Sequence, residues 1–217
     1  MTPYMEYGKF RAMKGIPTRA GMTLNYGLPL LALVAGAWSY LFSPNAYQVV
    51  VLMCLSAHFI KRLMESWFLH KYSAPMNPFA AIAVSCFYSL TTFVPAYINR
   101  LPISEIDLLV TAGIGIFLVG EILNFVHHKI LADLRTTSME YVIPHRGLFD
   151  LIACPHYLFE LVSWFGLCLI FRHVSMFFFF SLMAIYLLVR SLQTLAWYRE
   201  RFANFPPERR AILPFVL

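Results

Sequence analysis

The chain has 217 residues, of which 59% are hydrophobic and only 13% charged, with a mean hydropathy of +0.65. That balance excludes an ordinary soluble domain, and the absence of short alternating runs argues against a β-barrel, which leaves an all-α, polytopic membrane bundle. The net charge of +6 would suit a nucleic-acid partner, but the basic residues flank apolar segments, so membrane topology accounts for them and no nucleic acid is expected.

Six helices are predicted, over 22–43, 46–70, 78–98, 107–132, 157–171 and 174–199, within one membrane-embedded domain spanning 1–217. The cytosolic segment 1–21 is polar and basic and lacks the apolar core of a signal peptide. Breakers "SPNA", "APMNP" and "INRLP" separate the first four helices. The second helix holds His58, Lys61 and Glu65. Lys61 and Glu65 are four residues apart and share a face, as a structural ion pair or as part of a site. The fourth ends in Glu121, Asn124, His127 and His128, with Asn124 and His128 on one face. Adjacent histidines suggest a metal, but no carboxylate stands at ligand spacing on that face, so no metal is expected.

A turn-rich loop over 133–156 carries Arg135 and Arg146. Then comes "IACPHYLFELVSWFG", where Pro155 is suited to start a helix and His156, Tyr157 and Glu160 converge on one side. Glu160 either pairs with an arginine from elsewhere or orients a ligand, and Tyr157 has a hydroxyl able to act as an acid. In the sixth helix Arg190, Thr194 and Tyr198 form one stripe, and Arg190 sits a full turn inside the apolar run. Residues 200–217 form a cytosolic tail. With both termini in the cytosol, only Arg100 and Arg172 of the 17 Lys and Arg residues fall on the far side. The four cysteines suggest neither a disulfide framework nor a zinc site.

The segments "LNFVHHKILADLR", "YVIPHRGLFDLIACPHYLFELVSWFG" and "WYRERFANFPPERRAILPFVL" resemble the steroid 5α-reductase superfamily, which includes trans-2-enoyl-CoA reductases. "AHFIKRLMESWFLHKYSAPM" and "CFYSLTTFVPAYIN" are similar to the enoyl-CoA reductase branch, and "YGKFRAMKGIPTRAG" to the steroid branch. The resemblance implies NADPH held in a cytosol-facing cavity and reduction of a C=C bond conjugated to a carbonyl. The substrate would be a lipid, first a trans-2-enoyl-CoA of fatty acid elongation, alternatively a 3-oxo-Δ4-steroid or another sterol or polyprenol. It assigns Lys9, Asn124, Arg135, Tyr141, Tyr157, Glu160, Arg190 and Tyr198 to the cofactor, with His156 where the family has asparagine. Lys61 and Tyr157 match the enoyl branch's catalytic lysine and tyrosine.

The chain departs from the pattern at several places. Asn25-Tyr26 replaces the steroid branch's Gln-Glu pair and Phe59 a tyrosine, while His128 and Thr194 replace an aspartate and a histidine. The family's first helix has no counterpart in these residues, which reads either as a six-helix variant of the seven-helix fold or as a chain without its true start. The resemblance places the protein in the endoplasmic reticulum of a eukaryote or the inner membrane of a bacterium, beside other lipid-synthesis membrane enzymes. The competing readings are a catalytically inactive lipid-binding homologue and a transporter, the latter unsupported by any inverted repeat.

Overall fold

The computed structural model describes residues 15–72, 74–101, 105–135 and 141–216. Among them there are six α-helices and no strands: α1 (Thr18–Ala37), α2 (Ala46–Met64), α3 (Pro78–Ile98), α4 (Leu108–Asp133), α5 (Pro155–Phe171) and α6 (Val174–Arg201). α1, α3, α4 and α6 are long and apolar enough to cross a membrane. Leu31 at 68%, Phe79 at 81% and Ile185 at 62% exposure would be a standing cost in water and none in lipid. The chain is an integral multi-pass membrane protein. α5 has 17 residues, about 25 Å at 1.5 Å per residue, short of a roughly 30 Å hydrocarbon core.

The helix starts are set by local chemistry. Asn45 and Gln48 form a reciprocal capping box at α2, each side chain accepting the other's backbone N–H at 2.8 and 2.9 Å, worth about 1 kcal/mol. Asn77 accepts the Phe79 N–H at 2.9 Å, and Pro78 opens α3. Asp107 accepts the Val110 N–H at 2.9 Å at the start of α4 and meets Arg172 at 2.8 Å.

α1 differs from the predicted 22–43. It begins earlier because Thr18 donates to the Ala74 carbonyl and Ile16 pairs with Met76, so the polar start is tied down. It ends at Ala37 because tight turns take over, Tyr40 N–H to Ala37 O and Ser43 N–H to Tyr40 O, while the Tyr40 hydroxyl is held by the Ala96 carbonyl. α2 passes into one π-helical turn, Glu65–Leu69, closed by His70 N–H to Glu65 O at 2.8 Å.

The chain forms two compact units, Met1–Thr111 with Leu169–Met176, and Ala112–Cys168 with Phe177–Leu217. In the first, α1 packs along α3, and the Thr92 hydroxyl reaches the Pro29 carbonyl at 2.8 Å. A buried polar group lies where α2 turns π-helical. Arg62 donates to Glu65 and, at 2.8 Å, to the Tyr26 hydroxyl, while Lys61 stands 3.7 Å from Glu65. In the second unit, the extended stretch before α5 is zipped to the tail. The Ala153 N–H bonds Arg210 O at 2.8 Å, Cys154 N–H bonds Ala211 O at 3.1 Å, and Arg210 N–H bonds Leu151 O at 3.0 Å.

Candidate active site

The site residues of the second unit are arranged by a close approach of α4 to α5. A Cβ on Gly120 would lie 2.5 Å from the Ser163 nitrogen and hydroxyl, so only glycine admits this spacing. One turn further along α4, Asn124 therefore meets the first turns of α5. Its Nδ2 donates to the His156 carbonyl at 2.8 Å and to Glu160 Oε2 at 3.1 Å. Asn124 and Glu160 are both buried, a carboxylate and an amide withdrawn from solvent in one pair. His128, on the same α4 face, sets its ring 5.3 Å from that of His156, and Tyr157 follows at 4.3 Å from His156.

His127 points elsewhere. Its Nε2 accepts the Leu148 N–H at 3.2 Å, which makes Nδ1 the protonated nitrogen, donating to the Leu123 carbonyl at 2.7 Å. The ring stacks on Phe159 at 5.1 Å. Gly147, at φ 57°, fits against this ring because a Cβ there would lie 2.8 Å from Nε2. His127 thus fastens the 3₁₀ turn Gly147–Asp150 to α4, and the two neighbouring histidines have different partners.

An aromatic and cationic wall borders the loop. The Arg135 guanidinium lies 4.7 Å over the Tyr141 ring, Trp197 packs edge-on to Tyr141 at 5.1 Å, and Tyr198 stacks on Phe205 at 5.3 Å. The Tyr141 hydroxyl is buried without a hydrogen-bond partner among the described residues. The predicted stripe Arg190, Thr194 and Tyr198 is buried along its length. Tyr157 packs, half-buried, against the cluster of Cys154, Leu195, Tyr198, Phe205 and Ala211. Tyr141, Tyr157 and Tyr198 are therefore gathered by a common aromatic wall, and Asn124, His156 and Glu160 by hydrogen bonds.

Sequence reasoning missed Arg209, which it counted only among the cytosolic charges. The structure leaves Arg209 2% exposed. Its guanidinium donates to the Pro144 carbonyl at 2.8 Å and to His145 Nδ1 at 3.1 Å, and lies 3.5 Å from Asp150 Oδ1. Burial draws its pKa below the ordinary arginine value, against the pull of the Asp150 and Glu208 carboxylates. This arginine ties the tail to the loop that leads into α5. The signal available was its place between "PPE" and the apolar "AILPF", where a surface charge has little reason to stand.

Lys61 belongs to the first unit, in the cluster with Arg62 and Glu65, so it and Tyr157 lie on different units. Asn25 and Tyr26 are buried there too, with Ser85 at 2.8 Å from the Asn25 amide. Lys9 lies outside the described residues.

Residues 74–217 match a family model described as 3-oxo-5-alpha-steroid 4-dehydrogenase. The chain is 30% identical to the very-long-chain enoyl-CoA reductase of Dictyostelium discoideum, over 81% of this chain and 60% of that protein. It is 27% identical to 3-oxo-5-alpha-steroid 4-dehydrogenase 1 of Bos taurus, over 100% of this chain and 88% of that one. It is 28% identical to polyprenal reductase 1 of Arabidopsis thaliana, over 77% and 64% of the two chains. The chain thus spans about three fifths of the length of the Dictyostelium and Arabidopsis relatives it matches.

Proposed function

This chain belongs to the 3-oxo-5-alpha-steroid 4-dehydrogenase family, and from that membership we propose a single membrane-embedded reductase domain. It uses NADPH to reduce a C=C bond conjugated to a carbonyl in a lipid, first a trans-2-enoyl thioester of coenzyme A. The observation that carries the reading is the buried Asn124–Glu160 pair, set on α4 and α5 beside His156 and Tyr157. A carboxylate withdrawn into an apolar bundle is costly, and such groups are kept where a ligand uses them.

The residues fit the cofactor. Arg135, Arg190 and Lys9 are cations suited to its phosphates, and Tyr141 and Tyr198 add hydroxyl donors. The Tyr141 hydroxyl is buried and lacks a partner among the described residues, the condition of a donor kept for a ligand. Asn124 fixes the Glu160 carboxylate, which with His156 would orient the ring amide. NADPH, when bound there, supplies a hydride to the β-carbon. Tyr157 gives its phenolic proton at the α-carbon, which completes the two-electron reduction. The amide–carboxylate pair needs no reorganisation during the reaction, since its geometry is already fixed.

A steroid enone is the second substrate reading, supported by the bovine relative, which the whole chain matches. The polar residues at the place of that branch's Gln-Glu pair are Asn25 and Tyr26, the latter bonded to Arg62. We place the protein as an integral enzyme with both termini cytosolic, in the endoplasmic reticulum or a bacterial inner membrane, alongside other lipid-synthesis enzymes. Purified protein in detergent, given NADPH and either trans-2-enoyl-CoA or a 4-ene-3-oxosteroid, separates the readings. Turnover of the thioester is the expected result. Turnover of the steroid alone would replace the substrate, and no NADPH consumption with either would favour a lipid-binding homologue.

A further inference from the structure

Arg146 stands at φ 79° and ψ 153°, a region essentially reserved for glycine. A side chain there is a strain that the fold must impose. The fastenings are visible. The Arg146 N–H donates to Asp150 Oδ2 at 3.3 Å, and its carbonyl accepts the Phe149 N–H at 3.2 Å. On one side Arg209 holds the Pro144 carbonyl and the His145 ring, and on the other His127 holds the Leu148 N–H. A glycine would take this backbone without penalty. The position nevertheless carries the bulkiest cation.

That cation does nothing for the fold among the described residues. The Arg146 side chain is exposed and makes no hydrogen bond or ion pair there. The nearby carboxylate is already used, Oδ2 of Asp150 by the backbone N–H and Oδ1 by the Arg209 guanidinium. A strained residue that earns no folded-state contact is explained by something outside the chain. A guanidinium fork held on a rigid backbone suits a phosphate monoester, which it grips in two parallel hydrogen bonds.

We propose that Arg146 binds the ribose phosphate of an adenine nucleotide at this site. The inference rests on the function proposed above, whose two reactants both carry such a group, NADPH as a 2′-phosphate and the coenzyme A thioester as a 3′-phosphate. Arg146 adds a specificity contact to the phosphate residues already named. Its fixed backbone limits the ordering entropy that binding must overcome.

The test measures binding of adenosine 2′,5′-bisphosphate and adenosine 3′,5′-bisphosphate to the purified full chain in detergent, with adenosine 5′-monophosphate as the reference. Arg146→Gln keeps the strain and removes the charge, whereas Arg146→Gly removes both. Both variants are expected to bind one bisphosphate about tenfold more weakly, with the 5′-monophosphate unaffected and the difference shrinking as salt is raised. Arg146→Gly is further expected to raise the unfolding temperature, and Arg146→Gln to leave it unchanged. A merely structural residue would not give weaker ligand binding in a more stable protein. Loss confined to the 2′,5′ compound identifies the cofactor as the ligand, and loss confined to the 3′,5′ compound identifies the thioester. Unchanged binding of both in both variants overturns the inference, as does wild-type protein that binds neither. An Arg146-dependent bisphosphate site in a protein without reductase activity would instead refute the function and leave this site standing.

Discussion

The contact between Asn124 and Glu160 is the most informative place to perturb the site. Asn124 is 1% exposed and gives one amide to two acceptors, a backbone carbonyl at 2.8 Å and a carboxylate at 3.1 Å. A neutral hydrogen bond contributes about 0.5–1.5 kcal/mol and one to a charged group about 1.5–3, and bonds between membrane helices fall near the lower ends. Asn124→Ala is therefore expected to cost about 2–3 kcal/mol, a fall of roughly 4–12 °C in unfolding temperature for a chain of this size. Part of that loss is shared with Glu160. A cycle of Asn124→Ala, Glu160→Gln and the double variant, followed by thermal unfolding in detergent without NADPH at one scan rate, isolates that part. The double variant is expected to lose about 1 kcal/mol less than the sum of the singles. Additivity within about 0.3 kcal/mol would mean that the pair is not coupled, and the reasoning that α4 fixes the Glu160 carboxylate would fail.

Three further outcomes are expected. Tyr157→Phe should lower kcat by about 10²–10⁴ while leaving NADPH binding, read by tryptophan quenching, unchanged. Equal loss of both would make Tyr157 a binding residue only. Gly120→Val should cost about 1–3 kcal/mol and weaken NADPH-dependent stabilisation, because the new methyls meet the Ser163 backbone, which cannot swing aside. A Gly120→Val protein with unchanged stability and binding would show that α4 and α5 do not need this spacing. The cap bond from Val110, with Arg172 beside it, holds the Asp107 carboxyl below the usual carboxylate range. Its contribution is thus full above an unfolded pKa of about 4 and is lost as pH falls through the lower folded value. Asp107→Asn should flatten that acid limb of the stability profile, and an unaltered limb would contradict the assignment.

Much of the helix pattern was legible because caps and breakers are local. Asn45, Asn77 and Pro155 each mark a helix start in the sequence, and the apolar runs after them are long. α1 was misjudged at both ends for the opposite reason. Its start depends on Ala74 and its end on Ala96, partners that no local pattern announces. The family resemblance assigned Asn124 and Glu160 to the cofactor one by one, but their bond to each other was not legible, since which helix faces which is a long-range matter. Arg62 was hidden by the Lys61–Glu65 spacing, which drew attention to the pair four residues apart and away from the neighbour three apart. Arg209 was hidden by topology, because a positive charge in a cytosolic tail already has an explanation. The strain at Arg146 leaves no mark in composition at all, since "HRG" reads as an ordinary turn until its dihedral angles are seen.

Following the hydrogen shows whether this protein reduces the acyl chain with NADPH. Purified protein is given NADPH deuterated on the hydride-bearing carbon together with a trans-2-enoyl-CoA, and the product is analysed by mass spectrometry and NMR. One deuterium at the β-carbon of a saturated acyl-CoA and one solvent proton at the α-carbon are expected, with the rate collapsing in Tyr157→Phe. Unconsumed NADPH, or a saturated product without deuterium at the β-carbon, would contradict the proposed reduction.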